Sequence, residues 1–354
     1  MDRREATFPA ALSGVADQVE ARMLALVDGE VERWSAIDAD LAEPLASLRS
    51  IIVAGGKRLR PAFCYCAYIG AGADEDADII VDASAALEFI HTFALVHDDV
   101  MDGSDRRRGA AAVHTHFADR HTDAAWRGEP RRFGDGMAIL VGDFAFVYAD
   151  LLMRTAPAPA LDVFDQLRIE LCVGQSLDLI ATATASIDRD AARRIATYKS
   201  AKYTVERPLH LGAALAGRLD ELAPALSAVG LPLGEAFQLR DDVLGAFGDS
   251  DVTGKPVGDD LREGKVTPLV VLASVNAAVA DRALLARLGS PDLAADEIAA
   301  LQDLFVRTGA LKDVEREIER LVGIARVALD AAPLTETARD LLGELAIYVA
   351  WRDR

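Results

Sequence analysis

Apolar positions recur along this chain at helical spacing, and no stretch alternates apolar and polar residues long enough to make a useful strand. Val15, Val19, Met23, Leu26, Val27, Val31 and Trp34 share one face of residues 13 to 40, which predicts an amphipathic first helix. A short helix follows around 44 to 53, and residues 62 to 70 and 76 to 102 read as buried helices separated by the Gly-Ala-Gly at 70 to 72. Residues 119 to 134 break the periodicity with Gly, Pro and mixed charges, predicting a loop or insertion. Helical patterning returns at 136 to 152, 160 to 184 and 189 to 217, the last with a kink expected at Pro208. It continues from 234 into Asp241 and Asp242, and residues 271 to 354 alternate Ala/Leu faces with charge, as packing helices do. The class is all-α, and a single domain is expected over 1 to 354, with 1 to 12 a flexible N-terminus.

Composition narrows the function more than the fold. The chain has 354 residues, 27% charged and 51% apolar, which is a globular balance. A formal net charge of -19 argues against nucleic-acid binding. Cys64, Cys66 and Cys172 form no even framework and read as reduced thiols of a cytosolic protein. No uninterrupted apolar run approaches the roughly 20 residues of a membrane span. Met1 to Pro9 lacks the apolar core of a secretion signal, so the expectation is a soluble, cytoplasmic chain with no transmembrane segment.

The chemistry concentrates between Leu87 and Gly109, LEFIHTFALVHDDVMDGSDRRRG. On a helix, Asp98 and Asp102 lie four apart and share a face, with Asp99 turned aside. Carboxylates crowded at the negative end of a helix call for a cation. All-oxygen donors favour a hard ion such as Mg2+, which completes its shell with water and phosphate oxygens. Arginines at 106 to 108 suit bidentate contact with phosphate. His91, seven residues before Asp98, falls on nearly the same side. Upstream, GGKRLRP (Gly55 to Pro61) places Lys57, Arg58 and Arg60 in a tight turn at a helix start. Downstream, 234 to 270 repeats the grammar: an apolar helix ends in Asp241 and Asp242, and a Gly-rich loop carries Lys255 and Lys265. Two such motifs are expected to hold a metal-bound diphosphate across a cavity.

In these motifs the chain resembles the trans-isoprenyl diphosphate synthases, the family of farnesyl and geranylgeranyl diphosphate synthases. The likeness runs from about Gly55 to Pro268 and rests on GGKRLRP, on HTxxLxHDDxxDxSxxRRG at His91 to Gly109, on Lys199-Ser200 ahead of Pro208, and on FQxxDD with a GKxxGxD loop at Phe237 to Lys265. It implies the isoprenoid synthase fold, a homodimer, and head-to-tail condensation of isopentenyl diphosphate with an allylic diphosphate (dimethylallyl, geranyl or farnesyl). Asp98 and Asp102 would bind two Mg2+ ions and Asp241 a third. Arg107, Lys199 and Lys255 would bind the allylic diphosphate, Lys57, Arg60, His91 and Arg108 would hold isopentenyl diphosphate, and Lys265 would also bind substrate. Ser200 and Gln238 would line the site of the carbocation.

The sequence departs from the family pattern where Gly245 replaces the third acid of the second DDxxD, with Asp249 a substitute through water, and where Ser200 replaces a threonine. Phe93 lies five residues before Asp98, about 7.5 Å along a helix. It is either the floor that stops a growing prenyl tail, with small Ala94 beside it, or ordinary core. An aromatic at that place, with no insertion in the first motif, is similar to archaeal-type geranylgeranyl synthases, which makes a C20 product the first choice over farnesyl or longer chains. A terpene cyclase would have no use for GGKRLRP. A metal-dependent phosphohydrolase, suggested by His97-Asp98, would need further histidine ligands. A non-catalytic partner subunit would be expected to lose the first aspartate motif, which is intact here.

Overall fold

A computed structural model of the chain describes residues 6–75, 77–184, 189–248, 258–290 and 292–352. The helices are α1 (Ser13–Ser35), α2 (Ala39–Val53), α3 (Leu59–Gly70), α4 (Asp78–Asp102), α5 (Val113–Asp123), α6 (Pro130–Met153), α7 (Ala158–Thr184), α8 (Arg189–Ile195), α9 (Arg207–Leu215) and α10 (Leu219–Phe247). They continue with α11 (Asp259–Glu263), α12 (Pro268–Asn276), α13 (Arg282–Leu285), α14 (Ala295–Arg307), α15 (Ala310–Asp330) and α16 (Glu336–Trp351). The strands among the described residues are β1 (Arg106–Arg107) and β2 (Ala110–Ala111), a two-residue antiparallel pair. The fold is all-α, as the periodicity predicts.

Contacts divide the chain into two compact units. An N-terminal unit comprises 10–65 and 74–161, and a C-terminal unit comprises 1–9, 66–73 and 162–354. In the first, α4 packs on α6, α5 on α6, and α1 on α2 and α4. By length and composition alone α4 and α6 would pass as membrane spans, but 61% of the most apolar window of α4 is buried inside the protein, as in a core helix.

The loop expected over 119 to 134 is mostly helix, because α5 runs to Asp123 and α6 starts at Pro130. The apparent breakers have other uses. Pro130 occupies the first turn, where a missing N–H costs nothing, and Glu129 caps the helix by accepting from the Arg131 N–H at 2.9 Å and from that of Arg132. Gly134 lets α6 approach α5, since a Cβ there would overlap the His114 carbonyl. Of the segment 1 to 12 expected to be flexible, residues 6–12 are described. Ala10–Leu12 form a 3-10 turn with Leu12 buried, and Phe8 packs edge-on against Tyr348 at 5.7 Å.

In the C-terminal unit, α10 packs against α15, α16 and the segment 196–206. That segment, Ala196–Glu206, is a π-helix inserted between α8 and α9. Pro208 sits in the first turn of α9, so the irregularity the sequence assigns to proline lies in the widened turns before it. Two glycines make room for it: a Cβ on Gly174 would overlap the Lys199 backbone, and one on Gly234 that of Ala201.

Candidate functional site

In the N-terminal unit, α4 ends at Asp102 because Gly103 takes a left-handed conformation (φ 69°) and donates its N–H to the Asp99 carbonyl. Arg108 (φ 50°) and Gly109 (φ 79°) then form the two-residue turn of the β1–β2 hairpin, both with the positive φ such turns demand. The turn folds the arginines back on the helix end. Arg107 Nε donates to both Asp99 oxygens at 2.7 and 2.8 Å, and its Nη2 lies 3.8 Å from Asp98 Oδ2. Asp99 is buried (3% exposed), while the Asp98 side chain keeps 19% of its surface. The adjacent aspartates therefore divide: one fastens the hairpin, the other faces outward on the Asp102 side.

Arg108 reaches the GGKRLRP loop, where its guanidinium donates to the Gly55 carbonyl and lies against Gly56, at 3.1 Å from where a Cβ would stand. Of the three cations in that loop, Arg58 turns inward. It is 6% exposed, pairs with Glu88 at 2.8 Å and Glu20 at 3.1 Å, and donates to the Ile52 carbonyl at 3.0 Å. Arg60 enters the first turn of α3 and is also buried, at 9% exposed, while Lys57 remains in the loop.

Burial, together with the cationic field of Arg60, Arg108, Arg107 and Arg58, pushes the His91 imidazole well below its ordinary range, so it is neutral. An unfolded chain takes up a proton at this position below about pH 6.5, and the folded chain does not. The stability His91 contributes is complete above that value and is lost as pH falls through it. His91→Gln is therefore expected to narrow the drop in denaturant midpoint between about pH 7.5 and about pH 5.5. Equal drops in variant and parent would show that folded His91 accepts the proton.

His97 turns from the acids and donates Nε2–H to the Ile139 carbonyl at 3.0 Å, over Gly142, where a Cβ would collide with the ring. That contact gives it a structural use and removes the main support for a phosphohydrolase. Phe93 packs edge-on between His97 and Phe146, with ring centroids 4.6 and 5.0 Å away. A cavity of about 370 Å³ on this unit is lined in part by Leu95, Val96, Asp99, Arg107 and Arg108.

In the C-terminal unit the π-helical segment sets Lys199 and Ser200. Lys199 Nζ pairs with Asp178 at 2.6 Å, and Ser200 donates to Gln238 Oε1. Gln238 in turn donates to Asp242 at 2.7 Å. Asp242 is driven inward, and its carboxyl is pushed up to about 8 by burial, with the charges of Asp260 and Asp241 adding to the rise and the Gln238 bond opposing it. Asp241, half-exposed, instead meets Arg352, whose guanidinium also lies 4.2 Å from the Phe237 ring centre. The sequence gives no local sign of that partner, 111 positions away. Nor does it mark Glu88, whereas Asp178 stands out as an interruption of the apolar face of 160 to 184. Lys265 pairs with Glu263 at 2.6 Å and lies 3.5 Å from Asp260. Lys255 and Asp249 lie outside the described residues.

The polyprenyl synthetase profile matches residues 43–304. A geranylfarnesyl diphosphate synthase from Aeropyrum pernix is 31% identical over 312 residues, covering 85% of this chain and 92% of its own. A (2E,6E)-farnesyl diphosphate synthase from Mycobacterium bovis is 32% identical, covering 84% and 80%. Among solved structures, the geranylgeranyl pyrophosphate synthase from Corynebacterium glutamicum, complexed with isoprenyl diphosphate and magnesium, matches with a TM-score of 0.91 at 36% identity, covering 97% of this chain and 99% of its own. The GGKRLRP loop, the acids that close α4 and the extent of these matches agree, and the chain belongs to the polyprenyl synthetase family as a trans-prenyl diphosphate synthase.

Proposed function

We propose that this chain condenses isopentenyl diphosphate with an allylic diphosphate (dimethylallyl, geranyl or farnesyl) in an Mg2+-dependent head-to-tail transfer, releasing geranylgeranyl diphosphate. The observation that carries the reading is the gathering of Arg58, Arg60, Arg107 and Arg108 around His91, two turns before Asp98 and three before Asp102 on α4. A protein with net charge -19 has reason to gather guanidiniums there if a diphosphate is to be held.

The donor set fits Mg2+. Asp98 and Asp102 offer hard oxygens four residues apart on one helix face, and Asp241 offers a third half-exposed carboxylate. Among the described residues no three His, Cys, Asp or Glu side chains converge into a ready-made cage, which suits an ion that retains water and takes phosphate oxygens. Three Mg2+ ions, when bound, would draw charge from the departing diphosphate as Lewis acids. The chain's own residues do the rest. Lys57, Arg60, His91 and Arg108 hold isopentenyl diphosphate, Arg107, Lys199 and Lys255 hold the allylic diphosphate, and Lys265 is a further substrate-binding cation. Ser200 and Gln238, already hydrogen-bonded to each other, line the carbocation site. Apolar helix keeps water from that cation.

Phe93, with Ala94 beside it, is proposed as the floor that stops the tail. Its ring lies edge-on between those of His97 and Phe146. Phe93→Ala is expected to lengthen the product by at least one isoprene unit, and an unchanged product would place the floor elsewhere. The overall reading is tested by incubating the purified chain with Mg2+, isopentenyl diphosphate and each allylic diphosphate in turn, then sizing the dephosphorylated alcohols. A C20 alcohol supports it, a shorter or longer one moves the floor within the same chemistry, and no condensation overturns it.

The chain is further proposed to work as one catalytic domain in the cytoplasm and as a homodimer, with no nucleic-acid partner. For the dimer, support comes from α6, where Ile139, Leu140 and Val147 are 45, 52 and 52% exposed on an otherwise core-forming helix.

A further inference from the structure

We infer that a closed ring of six side chains, Arg207, Glu170, Lys202, Glu206, Ser227 and His210, is the positioning device that holds Lys199 and Ser200 toward the allylic diphosphate. This rests on the roles proposed above for those two residues.

Lys199 and Ser200 sit in the π-helical turns of Ala196–Glu206, a conformation that is rare beyond a single turn and so needs support from its surroundings. Glycines supply the room. Besides Gly174 and Gly234, a Cβ on Gly230 would stand 2.8 Å from the Glu206 Cα, so α10 touches the far end of the segment through a third glycine. The hold comes from polar side chains. Arg207, the first residue of α9, grips Glu170 of α7 through Nε and Nη2, both at 2.7 Å. Glu170 Oε1 lies 3.4 Å from Lys202 Nζ, whose second partner is Glu206 Oε2 at 2.9 Å. Glu206 Oε1 accepts from Ser227 of α10 at 2.7 Å, and Ser227 Oγ lies 3.0 Å from His210 Nε2. His210 Nδ1 lies 3.0 Å from Arg207 Nη1, which closes the ring.

The protons run round the ring without conflict. Arg207 can only donate, so His210 Nδ1 accepts; the Ala223 carbonyl, 3.3 Å from Nε2, can only accept, so Nε2 carries the hydrogen. Ser227 then accepts from His210 and gives its own proton to Glu206. Burial pushes the His210 imidazole below its ordinary range against the pull of Glu206, as a neutral ring requires. Glu170, Glu206 and His210 are all buried, and two carboxylates balance two cations. A buried network with every member satisfied specifies one arrangement. This one ties the π-helical segment to α7, α9 and α10 together. Turns bonded i→i+5 wind less per residue than an α-helix. Relaxing them with α9 in place would carry Lys199 and Ser200 round the axis, away from Asp178 and Gln238. The six are positioning residues, acting on the diphosphate through the helix they hold.

The test opens the ring at Ser227, which is half-buried and uncharged. Ser227→Ala is expected to raise amide hydrogen exchange across 199–206 about fivefold, the usual effect of one lost hydrogen bond, with the helices of the N-terminal unit unchanged. In the same variant kcat/KM for geranyl diphosphate should fall about 10- to 100-fold while KM for isopentenyl diphosphate stays at the parent value. Ser227→Thr, which keeps the hydroxyl, should restore both. Glu206→Gln, accepted as folded by circular dichroism, opens the ring at a second place and should shift both readings the same way. Parent-like exchange in Ser227→Ala and Glu206→Gln overturns the inference, because the ring then does not hold the segment. Faster exchange with parent-like kinetics overturns it as well, because the ring is then structural alone. If the parent chain performs no condensation, the functional reading fails, and the exchange measurement still decides separately whether the ring holds the π-helix.

Discussion

Asp98→Ala is expected to lower turnover by about 10³-fold or more with the helical fold intact, because it removes charge-stabilising capacity used in ionising the allylic diphosphate. The fold should be spared because the ion pair of Asp98 with Arg107 is a long one, with Nη2 3.8 Å away, and the Asp98 side chain retains 19% exposure. Loss should come with a higher Mg2+ concentration for half-maximal rate. Asp99→Ala is the informative contrast. Asp99 holds Arg107 through both oxygens and is buried, so its removal should loosen the hairpin and lower the thermal midpoint. Parent-like turnover in Asp98→Ala, measured by isopentenyl incorporation at saturating Mg2+, would sink the assignment of this carboxylate to a metal. A thermal midpoint as depressed as that of Asp99→Ala would show Asp98 to be structural.

This difference between neighbours also shows how far the sequence could be read. Helical spacing was enough to turn Asp99 away from Asp98 and Asp102, because that effect acts within a turn or two of helix. The resemblance in GGKRLRP and the two aspartate motifs carried the fold and the family. What stayed hidden depends on partners far along the chain. Arg58 stands in the same basic run as Lys57 and Arg60, yet Glu88 and Glu20, at 30 and 38 positions' distance, take it into the interior. Arg352 meets Asp241, and Asp260 covers Gly245, without any local periodicity to announce either. The misread loop at 119 to 134 has the same origin. Gly and Pro are ambiguous between breaking a helix and serving a close helix contact or a first turn, and only the packing of α5 on α6 decides.

Glu88→Ala is expected to destabilise the chain by about 3–5 kcal/mol, the usual effect of stripping one partner from a buried ion pair. Glu88 is 2% exposed and Arg58 6%, so the guanidinium left behind would be a buried cation without its nearest counter-ion. Glu20 would not replace it, because its contact is longer, at 3.1 Å, and its side chain is 38% exposed. Arg58 also holds a left-handed backbone (φ 49°) that a residue with a side chain adopts only under constraint, and the pair with Glu88 supplies that constraint. The consequence should reach the substrate: once Arg58 is released, the loop no longer presents Lys57 and Arg60 in fixed positions. KM for isopentenyl diphosphate should then rise more than kcat falls. Replacing both partners, as Arg58→Met with Glu88→Leu, removes the buried charges together and is expected to recover much of the lost stability, while KM stays high because the left-handed turn has lost its anchor. Denaturant midpoints for the single and double variants measure the first half of this expectation and steady-state kinetics the second. A Glu88→Ala chain as stable as the parent would mean that Glu20 and the Ile52 carbonyl suffice to hold Arg58. Restored stability with KM also restored would mean that the loop keeps its shape without the arginine.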